Sequence, residues 1–291
     1  MSTRSGGRMV LGVLALLVAG CGKTEAPNQQ MTFTTPEEAV TAFVAAARSG
    51  SDSLLEAMLG AGSSKIVVSS DTISDQIERS RFVARYDEKH ALVDDGLDTL
   101  TLNVGRDDWP LPIPLVKSAG RWHWDGAAGQ EEVFFRRIGH NELNAIAVSR
   151  SILGAQQEYA AAPHDGHKAG PYARHLVSEA GTHDGLYWPT KDGEARSPAG
   201  PLLAQGASEG YGATGVRVPY HGYYYHMLEN GAGFGFVAYP ADYHESGIMT
   251  FQVSETGVVY QKDLGDATDS LAQAMTVYQV DSTWAEVKAE E

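Results

Sequence analysis

Eight of the ten histidines lie after residue 139. Four of them, His164, His167, His175 and His183, share one loop-rich stretch with Asp165 and Asp184. Neutral imidazoles beside a carboxylate are the donors that zinc and other borderline metals take, so a metal-dependent hydrolase built on this loop is one reading. The spacing works against it. Metal sites fix two ligands on one rigid element, as in His-Glu-x-x-His, and no such pair exists in this stretch, which a solvated loop explains more simply. Gly206-Ala207-Ser208-Glu209-Gly210 carries the letters of a serine-hydrolase elbow, which needs a buried strand before the serine and a helix after it. Two more glycines follow by Val216, so the segment is expected to be a surface loop. Asp263, Asp266 and Asp269 recur at every third position, unlike the alternating calcium loop. Asp269 reads instead as the cap of a helix over Ser270 to Val277. No cofactor is implied by any of these patterns.

A second set of residues is suited to contact rather than catalysis. Tyr220, His221, Tyr223, Tyr224, Tyr225 and His226 fall on or beside one strand, so alternate members face opposite sides of a sheet. A tyrosine joins a large apolar area to one hydrogen-bonding tip. Tyr223, Tyr225, Tyr239, Tyr243 and His244 are therefore a candidate surface for another envelope protein or a cell-wall polymer. The competing reading packs one face of that strand on a helix and leaves the other as ordinary surface. In the first half of the chain, Trp109, Trp122 and Trp124 either line a small-ligand pocket or fill a core.

These groups must be carried by particular elements. Arg4 and Arg8 precede an apolar run from Met9 to Val18, and Val18-Ala19-Gly20 ends at Cys21. This is the pattern of a lipoprotein signal peptide: cations stay cytoplasmic, a short apolar segment enters the translocon, and small residues admit the peptidase. The expectation is a removed segment 1–20, a lipid on Cys21 holding the protein to the bilayer, and a tether over 21–32. Cys21 is the only cysteine, which leaves no thiol for a disulfide or a nucleophile. Gly22 rather than Asp follows, which by the bacterial sorting pattern it resembles implies the outer membrane, facing the periplasm. The chain holds 22 Lys and Arg against 37 Asp and Glu, and removing Arg4 and Arg8 makes it more acidic still. Nucleic acid and anionic lipid headgroups are thus poor partners.

Thr35-Pro36-Glu37-Glu38 is a capping box with proline at the first helical position, and Val40, Phe43, Val44 and Ala47 continue at helical spacing. Further helices are expected over Asp52 to Leu59 and Ser74 to Tyr86. Then the period changes to two: Leu100, Leu102 and Val104 alternate with polar residues. Proline at 110, 112 and 114 permits only an edge strand, and a hairpin at Ser118-Ala119-Gly120 leads into Arg121-Trp122-His123-Trp124. After Gly139 a new helix is expected from Asn141 to Ala162. An irregular stretch to Pro219 follows, then strands over Gly222 to Leu228, Phe234 to Tyr239, Ile248 to Val253 and Val258 to Lys262. The division is 33–138 and 139–291, both α+β.

The order of helices and then a curled antiparallel meander over 33–137 resembles the cone of the nuclear-transport-factor-2-like superfamily. The helix, irregular loop and strands from Gly222-Tyr223-Tyr224-Tyr225 to Glu255-Thr256-Gly257-Val258 resemble the globular head of bacterial pseudopilins, although no apolar anchor precedes this helix and Glu142 and Arg150 lie on it. Together the lipobox, Thr35-Pro36-Glu37-Glu38-Ala39-Val40, Trp122-His123-Trp124-Asp125 and the Gly-Tyr-Tyr-Tyr to Glu-Thr-Gly-Val tail resemble an uncharacterised bacterial family, domain of unknown function 2950. That resemblance implies an envelope protein and supplies no activity. The leading expectation is a tethered, non-enzymatic binding or assembly module. The alternatives are a small-ligand binder using the cone, or the metal-dependent hydrolase of the histidine loop.

Overall fold

The computed structural model describes residues 30–166, 168–190, 196–209, 211 and 218–288. The signal segment, Cys21 and His167 lie outside them. Residues 30–32, the end of the expected tether, already belong to the fold. Gln30 donates to the carbonyls of Met58 and Trp124 at 2.8 and 2.6 Å, and the Met31 N–H to Ala57 at 2.9 Å.

The chain is a mixture of helix and antiparallel sheet, α+β. Its first helix, α1 (Pro36–Ser49), starts on the capping box: the Thr35 hydroxyl accepts from the Glu38 N–H, and the Glu38 side chain accepts from the Thr35 N–H. It ends on Gly50, whose φ of 65° only glycine adopts without cost. Three helices follow: α2 (Asp52–Leu59), the short α3 (Ser64–Val67) and α4 (Thr72–Glu88). The first sheet comprises β1 (His90–Gly96), β2 (Thr99–Val104), β3 (Trp109–Pro110), β4 (Leu115–Ser118) and β5 (Arg121–Trp124), in the order β1-β2-β4-β5 with β3 also on β2. The prolines are borne out only in part as an edge: pairing stops at Pro110, and residues 111–114 are not strand. The β1 strand, exposed along most of its length, has no alternating apolar signal and was not expected.

The largest departure is α5 (Gly126–Ala161), one helix of 36 residues where a break at Gly139 was expected. Asp125 caps it, accepting from the Ala128 N–H at 3.0 Å. A glycine inside a helix costs about 1 kcal/mol, and Gly139 does not interrupt this one because both its ends are packed. The helix thus runs from the first sheet into the second half without a linker.

The irregular stretch contains a parallel pair, β6 (His175–Val177) and β7 (Gly185–Tyr187), and a helix, α6 (Gly200–Ser208). The second sheet has β8 (Tyr223–Asn230), β9 (Gly233–Pro240), β10 (Met249–Ser254), β11 (Val259–Asp263) and β12 (Ala285–Glu286), in the order β12-β11-β10-β9-β8, with α7 (Thr268–Gln273) after β11. Asp269 sits inside α7 rather than capping it, the cap position being Ala267. One face of this sheet packs on α5 through Phe234, Phe236, Phe251 and Val253 against Ala145, Ile152 and Ala155. The other face is covered by α7 and the chain after it, with Leu228, Val237 and Tyr239 buried among Ala272, Met275 and Tyr278. Among the described residues no helix is long and apolar enough to cross a membrane.

Candidate functional site

A cavity of about 410 Å³ lies between α1, α2, α4, the first sheet and α5. That is within the size range of small-molecule sites. Its floor is apolar: Phe43, Leu55 and Leu59 from α1 and α2, with Phe82, Leu111 and Ile113. Its walls are two helices that break the usual rule of amphipathicity. The α4 side chains turned to the cavity, Asp75, Glu78, Arg79, Phe82 and Arg85, recur at helical spacing, yet only one is apolar. Accordingly α4 has no fully buried residue. Across from it, α5 presents Val133, Arg136, Arg137, His140 and Asn141.

The cavity has two chemically different ends. At the α4 N-terminus the carboxylates are satisfied from within. Asp71, 2% exposed, caps α4 through the Ser74 N–H at 2.9 Å and accepts from the Gly222 N–H at 2.9 Å and the Tyr211 hydroxyl at 2.9 and 3.1 Å. Burial beside Asp71 pushes the Tyr211 hydroxyl well above its ordinary range, which keeps it a proton donor in that bond. Asp75 accepts from the Ser69 N–H and hydroxyl at 2.7 and 2.9 Å; burial nevertheless raises its pKa, offset in part by those bonds. Arg137 donates to the carbonyls of Lys65 and Ile66 at 3.0 and 2.9 Å, and burial lowers its pKa. Burial lowers the pKa of His140 as well, against the pull of Glu78.

At the other end, two guanidiniums converge on one indole. Arg85 lies 5.9 Å and Arg136 4.6 Å from the centre of the Trp109 ring, at cation–π range. Arg85 pairs with Asp107 at the surface, but its Nε is shielded from solvent with no hydrogen-bond partner among the described residues. Leaving a shielded donor unpaired costs about 1–3 kcal/mol. Arg136 donates to Glu132 at 2.6 Å and to the Pro110 carbonyl at 2.8 Å.

The residues singled out from the sequence are distributed differently. Of the three tryptophans, only Trp109 lines the cavity. Trp124 is completely buried in the core beneath it, 4.8 Å from Phe43 and donating to the Ala39 carbonyl at 3.3 Å. Trp122 packs against that core at the sheet edge, with Lys117 over its ring. The tyrosine surface is mostly interior. Tyr223 is 0% and Tyr239 2% exposed, because α5 covers one face of the strand and α7 with the chain after it covers the other. The Tyr225 hydroxyl bonds the Tyr220 carbonyl at 3.2 Å and that of Tyr223 the Met249 carbonyl at 2.9 Å. Tyr243 bonds Asp263 at 2.9 Å, and its neighbour His244 is exposed.

The histidine loop is tied up in structural bonds. His164 Nε2 lies 2.9 Å from the Tyr159 carbonyl and stacks on that ring, and His183 Nδ1 lies 2.9 Å from Asp165. His175 faces Asp184 at 3.7 Å. Among the described residues no three histidines, cysteines or acids come together to hold a metal. Ser208 ends α6, with its hydroxyl donating to the Gln205 carbonyl at 2.7 Å. A strand-to-helix elbow is the reverse of that arrangement.

A family model described as Protein of unknown function (DUF2950) matches residues 30–287. The chain belongs to the DUF2950 family. No curated protein and no solved structure matches it. The match runs across the whole of α5, so the cavity and the second sheet of this DUF2950 chain fall within a single family unit. Besides Trp109, the sequence carried a further signal for the cavity. The inward stripe of α4 is charged where a core helix would be apolar, and such local violations mark functional sites.

Proposed function

We propose that this protein is a lipid-anchored envelope module that binds one small molecule in the cavity walled by α4 and α5. The observation that carries the reading is the pair of helices that turn charged stripes toward a 410 Å³ hollow with an apolar floor. A helix faces charge inward at a cost unless something polar meets it. The helices and curled antiparallel sheet of residues 33–137 resemble the nuclear-transport-factor-2-like cone in element order, and a hollow enclosed by such a layer suits a ligand. The second half, pseudopilin-like in its helix-on-sheet order, serves as the rigid support. It holds α5 where Asn141 donates to the Ser246 carbonyl at 2.9 Å and Glu142 accepts the N–H groups of Ile248 and Met249. The lipobox and Cys21 support a tether to the outer membrane. This reading places recognition in the cone rather than on the tyrosine strand, whose central residues are interior.

The test is binding of a neutral apolar dye, Nile red, to the purified chain. Fluorescence is expected to rise saturably, and Val133→Trp, which fills the hollow from α5, is expected to weaken binding at least tenfold while the thermal midpoint stays within a few degrees. A dye response that Val133→Trp leaves intact would end the reading. For the anchor, mass spectrometry of the processed N-terminus should find an acylated Cys21, and Cys21→Ser should release the protein from membranes.

A further inference from the structure

The end of the cavity at Trp109 differs from the rest in having more donors than the protein uses. Arg85 reaches it from α4 and Arg136 from α5, and both sit over the same indole. Their carboxylate partners, Asp107 and Glu132, stand outside the cavity, and both are about half exposed or more, where water screens the attraction. A guanidinium carries more N–H donors than these bonds occupy, and its planar fork matches an acid group. Both arginine side chains keep about a third of their surface exposed, so guanidinium donors remain open to a ligand. The cavity's own acids do not take those donors. Asp71 and Asp75 lie toward the opposite end of α4, where Ser69, Ser74, Tyr211 and Gly222 already satisfy them. Glu78 pairs with Arg81 at 2.6 Å.

Resting on the reading of the cavity as a binding site, we propose that its ligand is an amphiphilic acid, with one anionic head held by Arg85 and Arg136 at Trp109 and an apolar body between Phe43, Leu55 and Phe82. The acidic surface of the protein does not oppose this, because the head is met at close range by two cations in a partly desolvated site, where charge pairing is far less screened than across open solvent. The apolar floor supplies affinity in proportion to the ligand area it removes from water, and the arginine pair selects the head.

Calorimetry on the purified chain separates the parts, using dodecanoate and dodecyl phosphate below their micellar concentrations and dodecanol below its solubility limit. At least one of the two acids is expected to bind ten times more tightly than the alcohol or better, and the tighter of the two assigns the head as carboxylate or phosphate. In the double variant Arg85→Gln/Arg136→Gln that preference should fall below threefold, and a preference that persists would overturn the arginine pair as its cause. Arg48→Gln, which removes a surface arginine paired with Asp87 outside the cavity, should leave it intact. Alcohol and acids binding equally would overturn the anionic head while sparing the cavity. No binding of any of the three, together with no Nile red response, would overturn the site itself.

Discussion

The two halves of this protein use the same parts to opposite ends. Each lays an antiparallel sheet against helices and each leans on α5, yet the first leaves a hollow of about 410 Å³ between sheet and helices, whereas the second packs its sheet closely on α5. The difference lies in what α5 and its partners turn inward. Between Val133 and His140 the helix shows arginines and a histidine to the cavity; between Ala145 and Tyr159 it buries Ala145, Val148, Ile152 and Ala155 against the second sheet. Ala145 and Ala155 let the sheet approach closely enough for Phe234, Phe236 and Phe251 to pack against α5. In the first half α4 meets the core only through the partly buried Phe82, Val83 and Tyr86, none of its residues is fully buried, and a space remains beside its charged side chains. A sheet packed on α5 in one half and an unfilled volume in the other is the contrast on which the proposed binding site rests.

The sharpest way to break that comparison is truncation on both sides. Phe251→Ala, in the buried face of the second sheet, is expected to cost about 3–5 kcal/mol in urea unfolding. Phe82→Ala, on the cavity wall, is expected to cost about 1–2 kcal/mol, since one side of its ring already lacks packed neighbours. Equal losses would mean that the hollow is not a hollow in solution. Next in size is the junction. Asp71→Ala removes the α4 cap and leaves the Gly222 N–H without its acceptor, for an expected loss of about 2–3 kcal/mol. The same variant should raise hydrogen exchange at Gly222 and Ser74 together, because one carboxylate serves both.

Asp75 gives a smaller effect with a defined sign. Burial raises its pKa in the folded state above the unfolded value, so between those two values the folded protein binds more protons than the unfolded one. Stability from this group therefore declines as pH rises through that window and is fully recovered below the ordinary carboxylate range. Asp75→Asn removes the dependence. The stability difference between variant and wild type should shift in favour of the variant as pH rises through the window, and a shift the other way would contradict the burial of this group. The smallest effect belongs to the surface: Arg48→Gln, breaking a half-exposed pair with Asp87, should change stability by less than about 0.5 kcal/mol.

Much of the element order was legible because it is local. Thr35 and Glu38 cap α1, Leu100 to Val104 alternate as β2, and the β8–β11 strands lie close to where alternation and turns put them. The break expected at Gly139 failed because glycine lowers helix propensity by only about 1 kcal/mol, less than packing at the two ends of α5 supplies. The tyrosines of β8 looked like a surface because strand alternation gives two faces without saying how many are covered. Only the return of α7 and the chain after it made Tyr239 interior. Of the cavity, only Trp109 was legible as a pocket residue; the rest of the lining comes from α1, α2, α4, the first sheet and α5, which no spacing links. The charged stripe of α4 was a second local trace.

By itself, then, the sequence determined the α+β composition, the family and most of the helices and strands, because caps, turns and hydrophobic periods act over a few residues. Tertiary structure alone decided which aromatic residues became core, that one helix spans both halves, and that Arg85 and Arg136, fifty-one positions apart, meet over Trp109. Those outcomes depend on which faces the packing covers, and burial is a property of the whole fold rather than of any segment.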